Sequence, residues 1–218
     1  MKCATTGWIY YRVKNQRDKM DYNIFPILKD ESDAILNIPL DNPYEEVIDL
    51  IQNRVHFNKG KLICSGMGKA GQIALNMATT FSSTGTCAVY LHPSEAQHGD
   101  LGILRDNDVL LLISNSGKTR EIVELITLAK NLHPKIPIIC ITKDPDSPLA
   151  KGSNLVLHTG FTKEICPLGL TPTVSTTVMT VIGDILVTLM MERIQFTKED
   201  YALRHHSGYL NLKARGLV

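Results

Sequence analysis

Leu62-Ile63-Cys64-Ser65-Gly66-Met67-Gly68-Lys69-Ala70-Gly71 decides the fold. An apolar run enters a glycine-rich turn, and the turn enters a stripe of Ala70, Ile73, Ala74, Met77, Ala78 and Phe81 at helical spacing. A short run that does not alternate reads as a strand covered on both faces. The unit recurs. Further apolar runs stand at Cys87–Leu91, Val109–Ile113, Ile136–Ile141 and Leu155–Leu157, and a second stripe follows the third run at Ile122, Val123, Leu125, Ile126 and Ala129. Strand–helix alternation of this kind predicts an α/β protein with a parallel sheet and right-handed crossovers. Ligands in such sheets bind beyond the carboxyl ends of the strands, where the strand order reverses. The loops after the runs are therefore where chemistry is expected.

Upstream, residues 1–19 carry scattered charge and no apolar period, which reads as a tail without a signal peptide, and Met20 is a second candidate start. Amphipathic helices are expected at about 28–37 and 43–57, the second marked by Val47, Ile48, Ile51 and Val55. One domain is expected over 20–218, with its core near 60–210. The 218 residues include 23 basic and 22 acidic side chains, a net charge of +1, which argues against a nucleic-acid or anionic-membrane partner. Five cysteines (Cys3, Cys64, Cys87, Cys140, Cys166) form no CxxC pair and read as free thiols in the cytoplasm. Thr171 to Met191 holds one charge, Asp184, but seven hydroxyl side chains, Pro172 and Gly183. That mixture fits a buried or subunit-interface helix better than a membrane span.

Two loops stand out. Gly66, Gly68 and Gly71 spell GxGxxG after a strand, but the next strand ends Tyr90-Leu91-His92-Pro93, without the acid a dinucleotide ribose needs. The glycines still imply close approach of an anion to a helix N-terminus; the plain alternative is a tight turn with Lys69 in solvent. Ser114-Asn115-Ser116-Gly117-Lys118-Thr119 ends in GKT, yet the Walker motif needs glycine where Leu112 stands. Three hydroxyls at a helix start suit a monoester phosphate. N-capping, the alternative, needs only one.

Together these loops resemble the sugar isomerase (SIS) domain. His92-Pro93-Ser94-Glu95-Ala96-Gln97-His98-Gly99-Asp100-Leu101-Gly102 is similar to that family's HPxEAxHGDLG loop. Glu164-Ile165-Cys166-Pro167-Leu168-Gly169-Leu170-Thr171-Pro172-Thr173, Ser175-Thr176-Thr177 and Phe196–Leu203 followed by His205 match the D-arabinose-5-phosphate isomerases within it. The resemblance covers about 60–210 and implies a three-layer αβα sandwich around a five-stranded parallel sheet, flavodoxin-like or Rossmann-like. It implies interconversion of D-ribulose 5-phosphate and D-arabinose 5-phosphate through an enediol, supplying synthesis of 3-deoxy-D-manno-octulosonic acid (Kdo) for lipopolysaccharide or capsule. No metal or cofactor is expected, because the substrate's carbonyl acidifies the C–H bond. A homo-oligomer, a tetramer, is expected.

The resemblance carries functional roles onto Lys69, Glu121, Glu164 and His205, with His98 as a further near-neutral group. Glu164 is the expected base, its pKa raised by burial. Phosphate contacts are expected from Ser65, Ser114, Ser116 and Thr119, and Gly66, Gly68 and Asn115 are expected to bind substrate as well. The alternatives are structural: Glu121 on a helix dipole, Glu164 paired with Lys163, Ser175–Thr177 as a cap, and the histidines as a solvated pair or a zinc site. The chain departs from the family pattern at Ala70 (usually Ser), at Lys118 (commonly Glu), and at Arg204–Asn211, where SHPGGALG has lost a proline and a glycine but kept His205. The CBS pair of many members is also missing, which turns attention to the crevice itself for control, by a downstream product such as CMP-Kdo. Rival readings are a phosphosugar-sensing module without turnover and another phosphosugar isomerase or lyase.

Overall fold

A computed structural model describes residues 23–217, so the expected tail at 1–19 lies outside the described residues. Five strands, β1 (Leu62–Gly66), β2 (Ala88–Tyr90), β3 (Val109–Ile113), β4 (Ile138–Thr142) and β5 (Leu155–His158), form one sheet. Its order is β2-β1-β3-β4-β5 and every pairing is parallel. This is the flavodoxin-like order, which reverses between β1 and β3.

Alternate residues of the strands serve two cores. Leu62, Cys64, Leu111, Ile113, Ile139 and Ile141 face a layer containing α1 (Phe25–Leu36), α2 (Tyr44–Ile51), α3 (Gly68–Ser83) and α7 (Val174–Arg193). Ile63, Leu110, Leu112, Ile138 and Cys140 face the other layer, with α4 (Pro93–Ala96), α5 (Arg120–Leu132) and α6 (Pro148–Gly152). The chain ends in α8 (Lys198–Arg204) and α9 (Tyr209–Ala214). The expected sandwich is present.

Several boundaries differ for physical reasons. α1 starts at Phe25 because Pro26 fits a first turn. The expected helix at 43–57 changes at Gln52 into a wider π turn ending at Phe57. That turn places His56 Nε2 3.1 Å from Thr86 Oγ1 and lets Arg54 donate to the Asp106 carbonyl at 2.9 Å. β4 starts at Ile138 rather than Ile136, since Pro137 has no N–H to offer a ladder. The Ile138 N–H donates to Asn154 Oδ1 instead, at 2.8 Å.

By length and composition α7 could cross a bilayer, but half of its apolar window is buried within the fold. It packs on α3, α1 and α2. At Gly183 a Cβ would stand 2.6 Å from Met77 Cε, so the glycine sets how closely α7 approaches α3. At the amino edge of the sheet, the wholly buried Asp108 accepts from the Lys61 and Arg105 N–H groups at 2.7 and 2.8 Å and from the Lys61 ammonium at 2.9 Å.

Candidate active site

The crossovers from β1 and β3 leave on opposite faces, α3 on one and α5 on the other, and this opens a crevice at the carboxyl ends of the two strands. The glycines of the first loop do two jobs. A Cβ on Gly66 would stand 2.6 Å from the Ala70 oxygen, and one on Gly71 2.6 Å from the Gly66 oxygen, so both allow α3 to seat against β1. Gly68 has open space around it but a φ of +60°, the left-handed turn that glycine adopts freely. No side chain caps α3, and Lys69 is exposed in its first turn. Ser65 is wholly buried, and its hydroxyl meets no partner among the described residues.

The second loop is organised as a nest. Ser114 and Thr119 share a hydroxyl–hydroxyl bond of 2.8 Å, the Gly117 N–H donates to Ser114 Oγ at 3.2 Å, and the Lys118 N–H donates to Ser116 Oγ at 3.2 Å. Thr119 occupies the N-cap position of α5 but its side chain makes no cap bond. The capping alternative therefore does not explain its hydroxyl. The Asn115 carbonyl is held from β4, by the Lys143 N–H at 3.0 Å and Thr142 Oγ1 at 3.3 Å. Lys118, the departure from the family's Glu, pairs with Asp144 at 3.4 Å.

Helix packing sets the starts of α3 and α7 along the same edge of the sheet. α3 and α7 lie side by side in one layer, each running back from the carboxyl edge. Their contact joins Met77 and Gly183, the tenth residue of each helix, so the two N-termini stand at the same height. Glu164 sits at the start of α7. Its Oε2 accepts from the Thr173 N–H at 2.7 Å, Thr173 Oγ1 at 2.9 Å and the Ser175 N–H at 3.4 Å. The carboxylate thus serves as the anionic cap of α7. Thr176 and Thr177 instead return their hydroxyls to the Thr173 carbonyl, at 2.7 and 3.3 Å.

These contacts reverse the expectation of a raised pKa. Desolvation pushes the Glu164 carboxyl up, but the hydrogen bonds from Ser175 and Thr173 outweigh it and hold the group below the ordinary carboxylate value. A cavity of about 240 Å³ opens beside it, between Asp30 and Asp33 of α1, Asn37 just past its end, and the Phe161–Ile165 segment.

Glu121 lies in the first turn of α5, on the opposite wall of the crevice from Lys69. His98 is exposed in the loop after β2, next to Gln97, whose amide donates to Glu124 at 2.9 Å, one turn along α5 from Glu121. His205 is the residue that the fold does not bring to this edge. Its ring stacks on Tyr201 with centroids 3.7 Å apart, and Tyr201 lines a cavity with Met191 and Phe196 beyond the far end of α7. Phe196 packs at Gly85, on the amino side of β2. Among the described residues no three His, Cys, Asp or Glu side chains stand close enough together to hold a metal ion.

Three polar residues of this edge were not assigned a role from sequence. Lys143 follows β4 and reaches the Thr162 carbonyl at 2.7 Å. Thr162 is buried with its own hydroxyl unpartnered, and His92 has an unpartnered buried Nδ1. A buried polar atom without a partner costs roughly 1–3 kcal/mol. Of the five such side-chain atoms among the described residues, Ser65 Oγ, His92 Nδ1, Asn115 Oδ1 and Thr162 Oγ1 belong to the ends of β1, β2, β3 and β5 or the loops leaving them. No periodicity signals these positions; only their place just past an apolar run does.

Comparison with known proteins agrees with the geometry. The SIS domain model matches residues 57–189. Arabinose 5-phosphate isomerase KdsD of Shigella flexneri is 45% identical over 174 residues, which are 80% of this chain and 52% of the relative. KdsD of Francisella tularensis is 45% identical over 176 residues, with the same shares. The chain thus spans about half the length of these curated relatives. Among solved structures, a Bacteroides fragilis protein described as a "putative phosphosugar isomerase involved in capsule formation" is 63% identical with a TM-score of 0.84, covering 85% of this chain and 97% of that one. Escherichia coli CFT073 c3406, solved in complex with arabinose 5-phosphate, is 36% identical with a TM-score of 0.74, covering 82% and 93%. With a hydroxyl-rich loop at the strand-order reversal and a family model matched over most of its length, the chain belongs to the SIS domain family.

Proposed function

We propose that this protein interconverts D-ribulose 5-phosphate and D-arabinose 5-phosphate through an enediol, in the cytoplasm, and supplies Kdo synthesis for lipopolysaccharide or capsule. The observation that carries this reading is the crevice at the strand-order reversal: the hydroxyl-rich Ser114–Thr119 loop forms one wall, and the uncapped start of α3, with Lys69 in its first turn, forms the other. The names of the KdsD relatives and the arabinose 5-phosphate complex of c3406 support the choice of substrate.

In this reading the phosphate sits on the nest hydroxyls and helix N–H groups, with Ser65 completing the cradle. Lys69 holds phosphate or polarises the carbonyl oxygen. Glu164 moves the proton between C1 and C2. Its depressed pKa keeps it ionised, the form a base needs, while the bonds that depress it also weaken it. Substrate that shields the carboxylate from water raises its basicity. Glu121 and His98 serve the other wall. His205 comes from a second copy, so the site requires a homo-oligomer, a tetramer in this reading.

CMP-Kdo is a feedback ligand of the same crevice. Calorimetry at millimolar CMP-Kdo that shows no heat removes that part. The main test is incubation with ribulose 5-phosphate, followed by NMR for arabinose 5-phosphate, with and without EDTA. Absence of turnover sinks the isomerase reading in favour of a phosphosugar-sensing module. Turnover abolished by EDTA overturns the metal-free mechanism.

A further inference from the structure

We propose that Lys143 is a positioning residue that ties the phosphate nest to the segment carrying Glu164. The inference rests on the isomerase reading for its kinetic consequences but not for its structural one. β4 lies between β3 and β5, so the first residue past its end stands between the nest loop and the segment leaving β5. That residue is Lys143, and it engages both. Its N–H donates to the Asn115 carbonyl at 3.0 Å, and Thr142 just before it donates to the same oxygen at 3.3 Å. Its ammonium donates to the Thr162 carbonyl at 2.7 Å and lies 4.8 Å from the centroid of the Phe161 ring.

Phe161 itself is 77% exposed, so packing does little to hold it. The ammonium supplies a hydrogen bond and a cation–π contact at adjacent residues. Two residues further on is Glu164, whose carboxylate is fastened to the start of α7. The segment is therefore held from both sides, by Lys143 on one and by the α7 N-terminus on the other. Lys143 passes a shift of the nest toward Glu164: its backbone moves with Asn115 and its side chain with Thr162. Lys143 does not need to touch the substrate to act. A displacement of about 1 Å in a reacting group costs on the order of 100-fold in rate.

The test compares wild type, Lys143→Met and Lys143→Arg. Methionine keeps the aliphatic stem and removes the charge. Arginine reaches the same carbonyl and stacks on the same ring. Three quantities are read: kcat and KM for ribulose 5-phosphate, binding of inorganic phosphate, and NMR hydrogen exchange of the Thr173 and Ser175 amides that hold Glu164. For Lys143→Met, kcat falls about 10–100-fold, while KM and phosphate affinity stay within about 3-fold and both amides exchange faster. Lys143→Arg recovers most of kcat and of the protection. A rise in KM with lost phosphate affinity at unchanged kcat overturns the proposal and makes Lys143 a phosphate ligand. A lower melting temperature with unchanged kcat and unchanged exchange at the two amides also overturns it. An inactive wild type refutes the isomerase reading separately, and the exchange measurement then still decides whether the tether exists.

Discussion

Gly117→Ala should destabilise this protein far more than Gly68→Ala, and the difference measures how tightly the nest is built. Both glycines have a left-handed backbone, φ +62° and +60°. An L-residue with a Cβ pays about 1–2 kcal/mol there. At Gly68 nothing lies within 4 Å of the added methyl, so that is the whole cost. At Gly117 the methyl would overlap both Oγ and Cβ of Ser147 and stand 2.9 Å from Thr142 Oγ1. Ser147 is wholly buried and accepts from the Ala150 N–H at 3.3 Å as the cap of α6, so a rotamer change alone does not clear the overlap.

Overpacking of this kind adds about 1–3 kcal/mol, which brings Gly117→Ala to roughly 2–5 kcal/mol. A domain of this size loses about 2–4 °C per kcal/mol. The expected fall is thus roughly 4–20 °C, against about 2–8 °C for Gly68→Ala. Thermal melts followed by circular dichroism read both. Adding Ser147→Gly, which costs a cap only a few tenths of a kcal/mol, should restore part of the loss in the Gly117→Ala background and none in the Gly68→Ala background. Equal melting temperatures for the two alanine variants, or no rescue, would refute the close packing of the nest on α6.

Further outcomes follow from other parts of the molecule. Cys166 should alkylate with an apparent pKa of about 7: desolvation pushes its thiol up, but N–H groups of Thr171, Leu170 and Leu168 pull it down further. Burial pushes Cys140 up to about 11 and Cys64 higher still, so a pH series with iodoacetamide and peptide mapping should find those two inert near neutrality. Glu164→Gln should lower activity, and its stability gap from wild type should depend on pH in one direction. The folded pKa lies below the ordinary 4.5, so the carboxylate's contribution is complete above pH 4.5 and is lost as the pH falls through the folded value. Melts at stepped pH that show the gap widening in acid would contradict the capping role. Asp108→Ala strands the Lys61 and Arg105 N–H groups, at about 1–3 kcal/mol each. The protein should melt roughly 4–24 °C lower, with kcat unchanged at a temperature where it stays folded, because Asp108 lies at the edge away from the crevice.

The five apolar runs and two stripes were sufficient for the sheet and two of its crossovers, because strands buried on both faces read as continuous apolar runs. Boundaries moved where a single residue controls the ladder, as at Pro137, or where a helix widens, as at Gln52. Neither is a matter of periodicity. In the site, the hydroxyl density of Ser114–Thr119 was legible because capping alone does not need it. The electrostatic state of Glu164 was not: its partners, Thr173 and Ser175, are nine and eleven residues away and meet it only when the loop folds over α7. Lys143 was missed for a similar reason. A lysine after a strand reads as solvated until the neighbouring strand's exit loop is placed beside it. The separation of His205 from Lys69 is a property of α7's direction, which no local motif carries.

The two edges of the sheet are satisfied to different degrees, and that contrast places the chemistry independently of any family likeness. At the amino edge polar groups have close partners: Asp108 takes three donors from two residues, Asn107 donates to the Asn58 carbonyl at 2.9 Å, and His133 meets Asp106 at 2.6 Å and the Leu104 carbonyl at 3.2 Å. At the carboxyl edge four buried polar atoms have none among the described residues. Both edges are made by the same five strands and covered by the same two layers, so the difference does not come from the fold. Native interiors pair nearly all of their buried polar atoms, and each unpaired one lowers stability. Four of them along a single edge therefore amount to stability given up in one place. A ligand that supplies several hydrogen-bonding oxygens at once, as a phosphosugar does, recovers it on binding. The same reasoning says which mutations should raise stability at the expense of binding. Ser65→Ala removes an orphan hydroxyl from a wholly buried position, so it should leave the melting temperature equal or higher and weaken phosphate affinity. A variant that loses stability instead would mean that the hydroxyl is satisfied within the fold, and the crevice would lose one of its four markers.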